Sequence, residues 1–293
     1  MYRRGMGVWL AGLIACTMML APPVRAQSKA FGPPPSASSL AQIRDLKSVF
    51  GSAFVDEDHS LEVDPNASVG DKRQTLLRRA ALYEEMKEFA KAEGDWTTAV
   101  KLDPPMAILY GGRGYFYMRT GRLPEALADF ISATRIDPAD PRFIFAAGRV
   151  QTMLGNYAEA VSFYGDAIKL AARDPNFYLA RAEAFIHLEQ LDSARSDYDR
   201  ALELRLQRPV DRYFAYVGRG YVALKLADYS SAMTDFDKAL DFDPYAVTVL
   251  LWRGYAHEKG GHVDLALDDY ERAVSADPKD RWARANLQRL RSN

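Results

Sequence analysis

The sequence predicts an all-α fold: six helix pairs stacked as an α-solenoid and closed by one capping helix. Three observations carry that expectation. The chain is self-similar with a period of about 34 residues, alanine and aromatic columns recur at helical spacing inside each period, and Asp-Pro steps separate the periods. With 48% hydrophobic and 26% charged residues, the chain has the apolar surface to build a packed core.

Taken in chain order, residues 1–26 read as an export signal. Arg3 and Arg4 form its basic start, Val8 to Ala21 its apolar run, and Val24-Arg25-Ala26 a small-residue cleavage site, so the mature chain begins near Gln27. The apolar run is about 14 residues, short of the ~20 that a membrane-spanning helix needs, so no membrane insertion is expected after cleavage. The alternative is a lipoprotein anchored through Cys16, because Leu13-Ile14-Ala15-Cys16 resembles a lipobox. Against it, Thr17 to Ala21 keeps the run apolar where a lipoprotein turns polar. Removing residues 1–26 deletes three arginines and no acid, which takes the net charge from −1 to −4 and gives no basis for nucleic-acid binding. It also removes the only cysteine, excluding disulfides, thiol catalysis and cysteine-ligated metal from the mature chain.

Residues 27–39, rich in Pro, Ser and Ala, form a flexible linker. Leu40, Ile43, Leu46, Val49 and Phe50 mark a short amphipathic helix over 40–54, joined to the array by a polar tether, 55–72. The apolar face of that helix needs a cover. Packing on the first repeat, folding into the chain's own groove and joining a second subunit all supply one.

The six units run 73–106, 107–140, 141–174, 175–212, 213–246 and 247–280. The twentieth residue of each is alanine (Ala92, Ala126, Ala160, Ala194, Ala232, Ala266), as is the twenty-seventh (Ala99, Ala133, Ala167, Ala201, Ala239, Ala273). Between them stands an aromatic: Trp96, Phe130, Tyr164, Tyr198, Phe236 or Tyr270. Spacing of i, i+4 and i+7 places the three on one buried face of each second helix. The eighth position holds only Gly or Ala, as two closely approaching helices require, and Asp-Pro at 103–104, 137–138, 243–244 and 277–278 ends the pair.

These columns resemble the tetratricopeptide repeat in its Arg-Gly variant, typified by Gly112-Arg113-Gly114-Tyr115 and Gly218-Arg219-Gly220-Tyr221, over residues 73–280. The resemblance implies a right-handed solenoid. The sequence departs from the pattern where Ala172 and Leu206 replace the terminal proline, and where Gln151, Ala223 and His257 replace a large apolar residue. Four extra residues near Leu206 to Arg212 are about one helical turn. They predict a longer second helix in the fourth repeat and a local change in the superhelix, or else a longer loop. Residues 281–293 form the capping helix, with Trp282, Ala285 and the Arg289 stem on one stripe and Ala283, Leu287 and Leu290 on the next.

Two columns pair without help from any family. Position seven is Arg79, Arg113, Arg181, Arg219 and Arg253, and position twenty-three is Asp95, Asp129, Asp197, Asp235 and Asp269. The third repeat alone lacks both, with Ala147 and Phe163 in their places. Joint loss favours a structural ion pair within each repeat over the alternative, arginines that contact a ligand.

Catalytic chemistry finds no footing. His59, His187, His257 and His262 form no HExxH or CxxC partnership, Asp56-Glu57-Asp58-His59 lacks the spacing of a calcium loop, and Gly111-Gly112-Arg113-Gly114 falls inside a helix. Asn66-Ala67-Ser68 fits a glycosylation acceptor pattern that matters only in a eukaryotic secretory pathway. No cofactor, metal or catalytic residue is expected, and the chain reads as a non-enzyme.

The resemblance further implies that the first helix of each pair lines a concave protein-binding groove. It assigns to that groove Tyr115, Met118, Arg119, Arg142, Phe145, Arg149, Met153, His187, Tyr221, Lys225 and Tyr255. Aromatics and methionine accept apolar side chains and arginine holds a carboxylate, so the implied partner is a protein or peptide with apolar and acidic anchors. The expected function is a protein-interaction scaffold of the bacterial cell envelope, periplasmic or secreted. The alternative is a self-associating structural protein that forms homo-oligomers.

Overall fold

The structure, a computed structural model, describes residues 63–292. The expected signal, Cys16, the linker, the amphipathic helix and most of the tether lie outside the described residues. Among those described, every regular element is a helix: α1 (Val69–Glu85), α2 (Phe89–Lys101), α3 (Ala107–Arg119), α4 (Leu123–Ile136), α5 (Pro141–Leu154), α6 (Tyr157–Leu170), α7 (Pro175–His187), α8 (Leu191–Glu203), α9 (Pro209–Lys225), α10 (Tyr229–Leu240), α11 (Val247–Lys259), α12 (Val263–Ala276) and α13 (Arg281–Arg291). They fall into two compact units, 63–170 and 171–292.

The first unit stacks three helix pairs, α1/α2, α3/α4 and α5/α6, each packed most closely within itself and next on its successor. The second stacks α7/α8, α9/α10 and α11/α12 in the same way and ends in α13. This is the packing of an α-solenoid, in which each pair buries its apolar face on its neighbours.

The twentieth, twenty-fourth and twenty-seventh positions are buried in all six repeats. Their counterpart on the first helix is the eighth position. A Cβ on Gly114 would lie 2.9 Å from the Phe130 ring and one on Gly148 would lie 2.7 Å from the Tyr164 ring, so the aromatic rests on bare backbone.

Every pair turns in the same way. The fifteenth residue has a left-handed backbone in all six repeats, at Lys87, Gly121, Gly155, Glu189, Ala227 and Gly261. The next N–H then bonds five residues back, as from Glu88 N to Tyr83 O (2.8 Å) and Asp228 N to Ala223 O (2.9 Å). That bond satisfies a carbonyl orphaned at the helix end. Three of the six fifteenth residues are glycine, which was the available signal for this turn.

Three sequence expectations need correction. Helix α1 starts at Val69, so residues 69–72 belong to the first helix rather than the tether; the Ser68 side chain caps it by accepting from Asp71 N at 3.1 Å. The four extra residues do not lengthen α8, which has 13 residues; they extend α9 to 17. Arg205 is left-handed (φ 58) just past the end of α8, and Pro209 opens α9 at its first position, where a missing N–H costs nothing. In α13 the second stripe is the packed one: Ala283 is buried and Leu287 and Leu290 half-buried, whereas Trp282 and Ala285 are exposed. Packing there follows the third and tenth positions of a first helix, which Ala283 and Leu290 occupy.

Candidate protein-binding face

The clamp between paired helices comes first, because it orients the face. Each position-seven arginine is held by the aspartate of its own repeat through two parallel bonds. Arg113 Nε donates to Asp129 Oδ2 at 2.7 Å and Nη2 to Oδ1 at 2.8 Å. Arg79–Asp95, Arg181–Asp197, Arg219–Asp235 and Arg253–Asp269 repeat the arrangement. All five aspartates are buried, and the aspartate hydrogen bond holds Arg113, Arg181 and Arg219 more firmly charged than usual.

A second set of contacts runs between repeats, which the sequence columns did not suggest. Arg219 Nη1 donates to Asp199 of the preceding repeat (2.7 Å), Arg253 Nη1 to Asp237 (2.5 Å) and Arg113 Nη1 to Thr97 (3.4 Å). The acceptor always stands at position twenty-five. Where the third repeat has Ala147 instead of arginine, the preceding position twenty-five is Ile131, which has no use for a cation.

A further pattern links positions twelve and twenty-four. Polar side chains meet polar aromatics: Trp96 Nε1 donates to Glu84 (2.9 Å), Thr152 Oγ1 bonds the Tyr164 hydroxyl (2.8 Å), and the Tyr270 hydroxyl donates to Glu258 (3.3 Å). Apolar side chains meet phenylalanine, Met118 with Phe130 and Leu224 with Phe236. The fourth repeat breaks the rule, with Ile186 facing Tyr198. The Tyr198 hydroxyl is fully buried with no hydrogen-bond partner among the described residues, and burial pushes it well above the usual tyrosine range.

The residues assigned to the groove divide into two groups. In the first unit, α3 presents half-buried Tyr115 and Met118 and exposed Arg119, and α5 presents exposed Arg142 and Met153 and half-buried Arg149. Tyr115 rests its edge on the Phe130 ring at 4.9 Å. Arg119 pairs with Glu84 of the preceding repeat, and Arg142 is held through Nε and Nη2 by Asp140, the α5 cap. Phe145 does not belong with them: it is buried, 5.4 Å from the Tyr164 ring, and serves the core.

In the second unit, His187 on α7 is half-buried and burial lowers its pKa. Of the two groove residues assigned to α9, Lys225 is exposed and Tyr221 is not. Tyr221 is 1% exposed and packs 5.2 Å from the Trp252 ring, and Val217 and Leu224 are buried with it, so this stretch is core rather than an apolar groove wall. The reason is Trp252, a large residue at a position where α3 and α9 have Gly112 and Gly218; it fills the space over Tyr221. Tyr255 on α11 is half-buried, with the Lys259 ammonium 5.4 Å from the centre of its ring. His257 is a packing residue whose Nδ1 has no partner among the described residues, and burial lowers its pKa.

A family model described as tetratricopeptide repeat matches residues 77–141, 145–209 and 217–281, more than half of the chain. The chain belongs to the tetratricopeptide repeat family. Tetratricopeptide repeat proteins generally mediate protein–protein interactions, and their scaffold is typically non-enzymatic. Among solved structures, the repeats are similar to YrrB, a TPR protein with an unusual peptide-binding site (TM-score 0.59, 20% identity, 66% of this chain and 97% of that one). They are also similar to pilF of Pseudomonas aeruginosa (TM-score 0.60, 13% identity, 76% and 98%). At such identities the likeness shows the fold. Among curated proteins, unc-45 homolog B of Xenopus laevis is 34% identical over 96 residues, 33% of this chain and 10% of that protein. The chain thus spans about a tenth of the length of the curated relatives it matches. Among the described residues no group of acids, histidines or cysteines is placed to hold a metal, and no helix is long and apolar enough to cross a membrane.

Proposed function

We propose that this tetratricopeptide repeat protein is an exported scaffold of the bacterial envelope, whose first-helix face in residues 107–154 binds a protein segment with apolar and acidic anchors. The observation that carries the reading is the company Arg142 keeps. Its side chain is 63% exposed, Asp140 engages only Nε and Nη2 of its five donors, and exposed Met153 stands on the same helix. A carboxylate of the partner meets the remaining guanidinium edge, and an apolar side chain meets Met118, Met153 and the Tyr115 ring. YrrB, with its peptide-binding site, offers a precedent on the same fold.

Export rests on the basic start, apolar run and small-residue site of residues 1–26. Intact-mass analysis of chain recovered from the envelope should show a start at Gln27, and a lipid-modified Cys16 terminus would replace soluble export with anchoring. Binding is tested by affinity capture with the parent and with Arg142→Glu/Met153→Asp, both exposed positions that leave the core intact. Circular dichroism confirms equal helicity in the two. Loss of a captured protein by the variant is the expected result. Equal retention overturns the face, and capture of nothing but the chain itself favours self-association.

A further inference from the structure

The two ends of the array are covered differently. At the C-terminal end, α13 has the register of a lone first helix: Ala283 and Leu290 stand at the third and tenth positions and pack on the last pair, and Arg289 and Arg291 reach back to Glu258 and Glu271. At the N-terminal end nothing among the described residues covers α1. The tenth position is buried wherever another repeat precedes within the same unit, at Phe116, Val150, Val222 and Ala256, yet Leu82 in the first repeat is 39% exposed. Met86 and Phe89 beside it are 62% and 47% exposed. The face that a preceding second helix would cover is open.

The sequence upstream holds a match to that missing helix. In all six second helices the seventeenth position is large and apolar (Phe89, Leu123, Tyr157, Leu191, Tyr229, Val263), followed by alanine at twenty, an aromatic at twenty-four and alanine at twenty-seven. Ile43, Leu46, Phe50 and Ala53 have the same spacing, with leucine in place of the first alanine. Phe54 follows where Val100, Leu202, Leu240 and Val274 stand in the repeats. Val49 takes the aspartate position, as Phe163 does in the third repeat, so no arginine is called for. The spacing is that of any amphipathic helix; what matches the repeats is the choice of residues, a phenylalanine at twenty-four and an alanine at twenty-seven.

We propose that residues 43–54 dock on the open face of α1 as the second helix of an incomplete repeat, so that the array carries a half-repeat at each end. The intervening residues 55–68 reach up to roughly 45 Å when extended, against roughly 25 Å for the length of α1, so the chain can lay the segment along α1 in either direction. One feature departs from the internal interfaces. Within each unit the twenty-fourth aromatic meets Gly or Ala at position six of the next repeat, as Trp96 meets Gly112 and Tyr198 meets Gly218, except where Phe236 meets Trp252. The first repeat has exposed Arg78 at that position, which places its guanidinium against the Phe50 ring.

Chemical cross-linking of the full chain tests the proposal. In a Cys16→Ser background, Phe50→Cys with Arg78→Cys supplies the only two thiols, and a short bis-maleimide is expected to join them within one chain, read as a linked peptide from the monomer band. Phe50→Cys with Lys169→Cys, an exposed position on α6 at the far end of the same unit, is expected to remain unlinked. A link found only in a dimer assigns the face to a second copy and overturns the proposal, as does no link or equal linking of both pairs. Hydrogen exchange gives an independent reading. Leu46→Glu/Phe50→Glu is expected to speed exchange in α1 at least tenfold while α5 and α6 are unchanged; unchanged α1 exchange also overturns it.

Discussion

The second and third repeats, neighbours in one unit, solve the same packing problem with opposite chemistry. In the second, Arg113 and Asp129 join α3 to α4 by two charge-assisted bonds; in the third, Ala147 and Phe163 fill the corresponding space between α5 and α6 with hydrocarbon. Both pairs bury the same alanine and aromatic columns. The difference teaches that the arginine column serves register rather than ligand binding: a repeat dispenses with the charge only when it dispenses with both partners. It also teaches why the column cannot drift one residue at a time, since either partner alone leaves a charge or a hole inside.

Breaking one partner should therefore have the largest effect. Arg113→Ala leaves Asp129 buried beside Phe130 without its cation, and a loss of about 3–5 kcal/mol is expected in urea unfolding of the chain. Adding a methyl group to the column shared by both repeats comes next. The Cβ of Gly148→Ala would stand 2.7 Å from the Tyr164 ring, so a loss of about 1–3 kcal/mol is expected; Ala182→Gly, where a methyl is already accommodated, should cost less. A smaller effect has the opposite sign. Tyr198→Phe removes a buried hydroxyl without a partner and should gain about 1 kcal/mol, whereas Tyr164→Phe breaks the bond to Thr152 and should lose about as much. The smallest concerns the turn. Ala227 holds φ at 59°, which glycine adopts freely, so Ala227→Gly should raise the melting temperature slightly, by up to about 1 kcal/mol in stability. Gly155→Ala at the equivalent position should lower it.

These contrasts also show what the sequence makes legible. Helix pairs, the buried columns and the pairing partners of arginine and aspartate are readable because each recurs six or five times at fixed spacing, and one simultaneous exception reveals the coupling. Ends and insertions recur nowhere, and there local chemistry decides: Ser68 and Pro209 start helices earlier than the repeat frame suggests. The groove was less legible than the core. Position nine is half-buried at Tyr115 and Tyr255 but buried at Tyr221, because burial there depends on the next helix, and only α11 brings a tryptophan against it. Likewise the coupling of positions twelve and twenty-four is visible in the sequence once the partners are known, as polar with Trp or Tyr and apolar with Phe, yet nothing in one column announces the other.

The most direct test of the central claim, that the clamp builds the fold and is separable from binding, is a double-mutant cycle on Arg113 and Asp129 by urea unfolding. Arg113→Ala/Asp129→Phe, which installs the third repeat's pair in the second, is expected to recover most of the stability lost by Arg113→Ala alone and to retain any captured partner. A double variant as unstable as the sum of its two single changes, or one that keeps its stability and loses the partner, would contradict that claim.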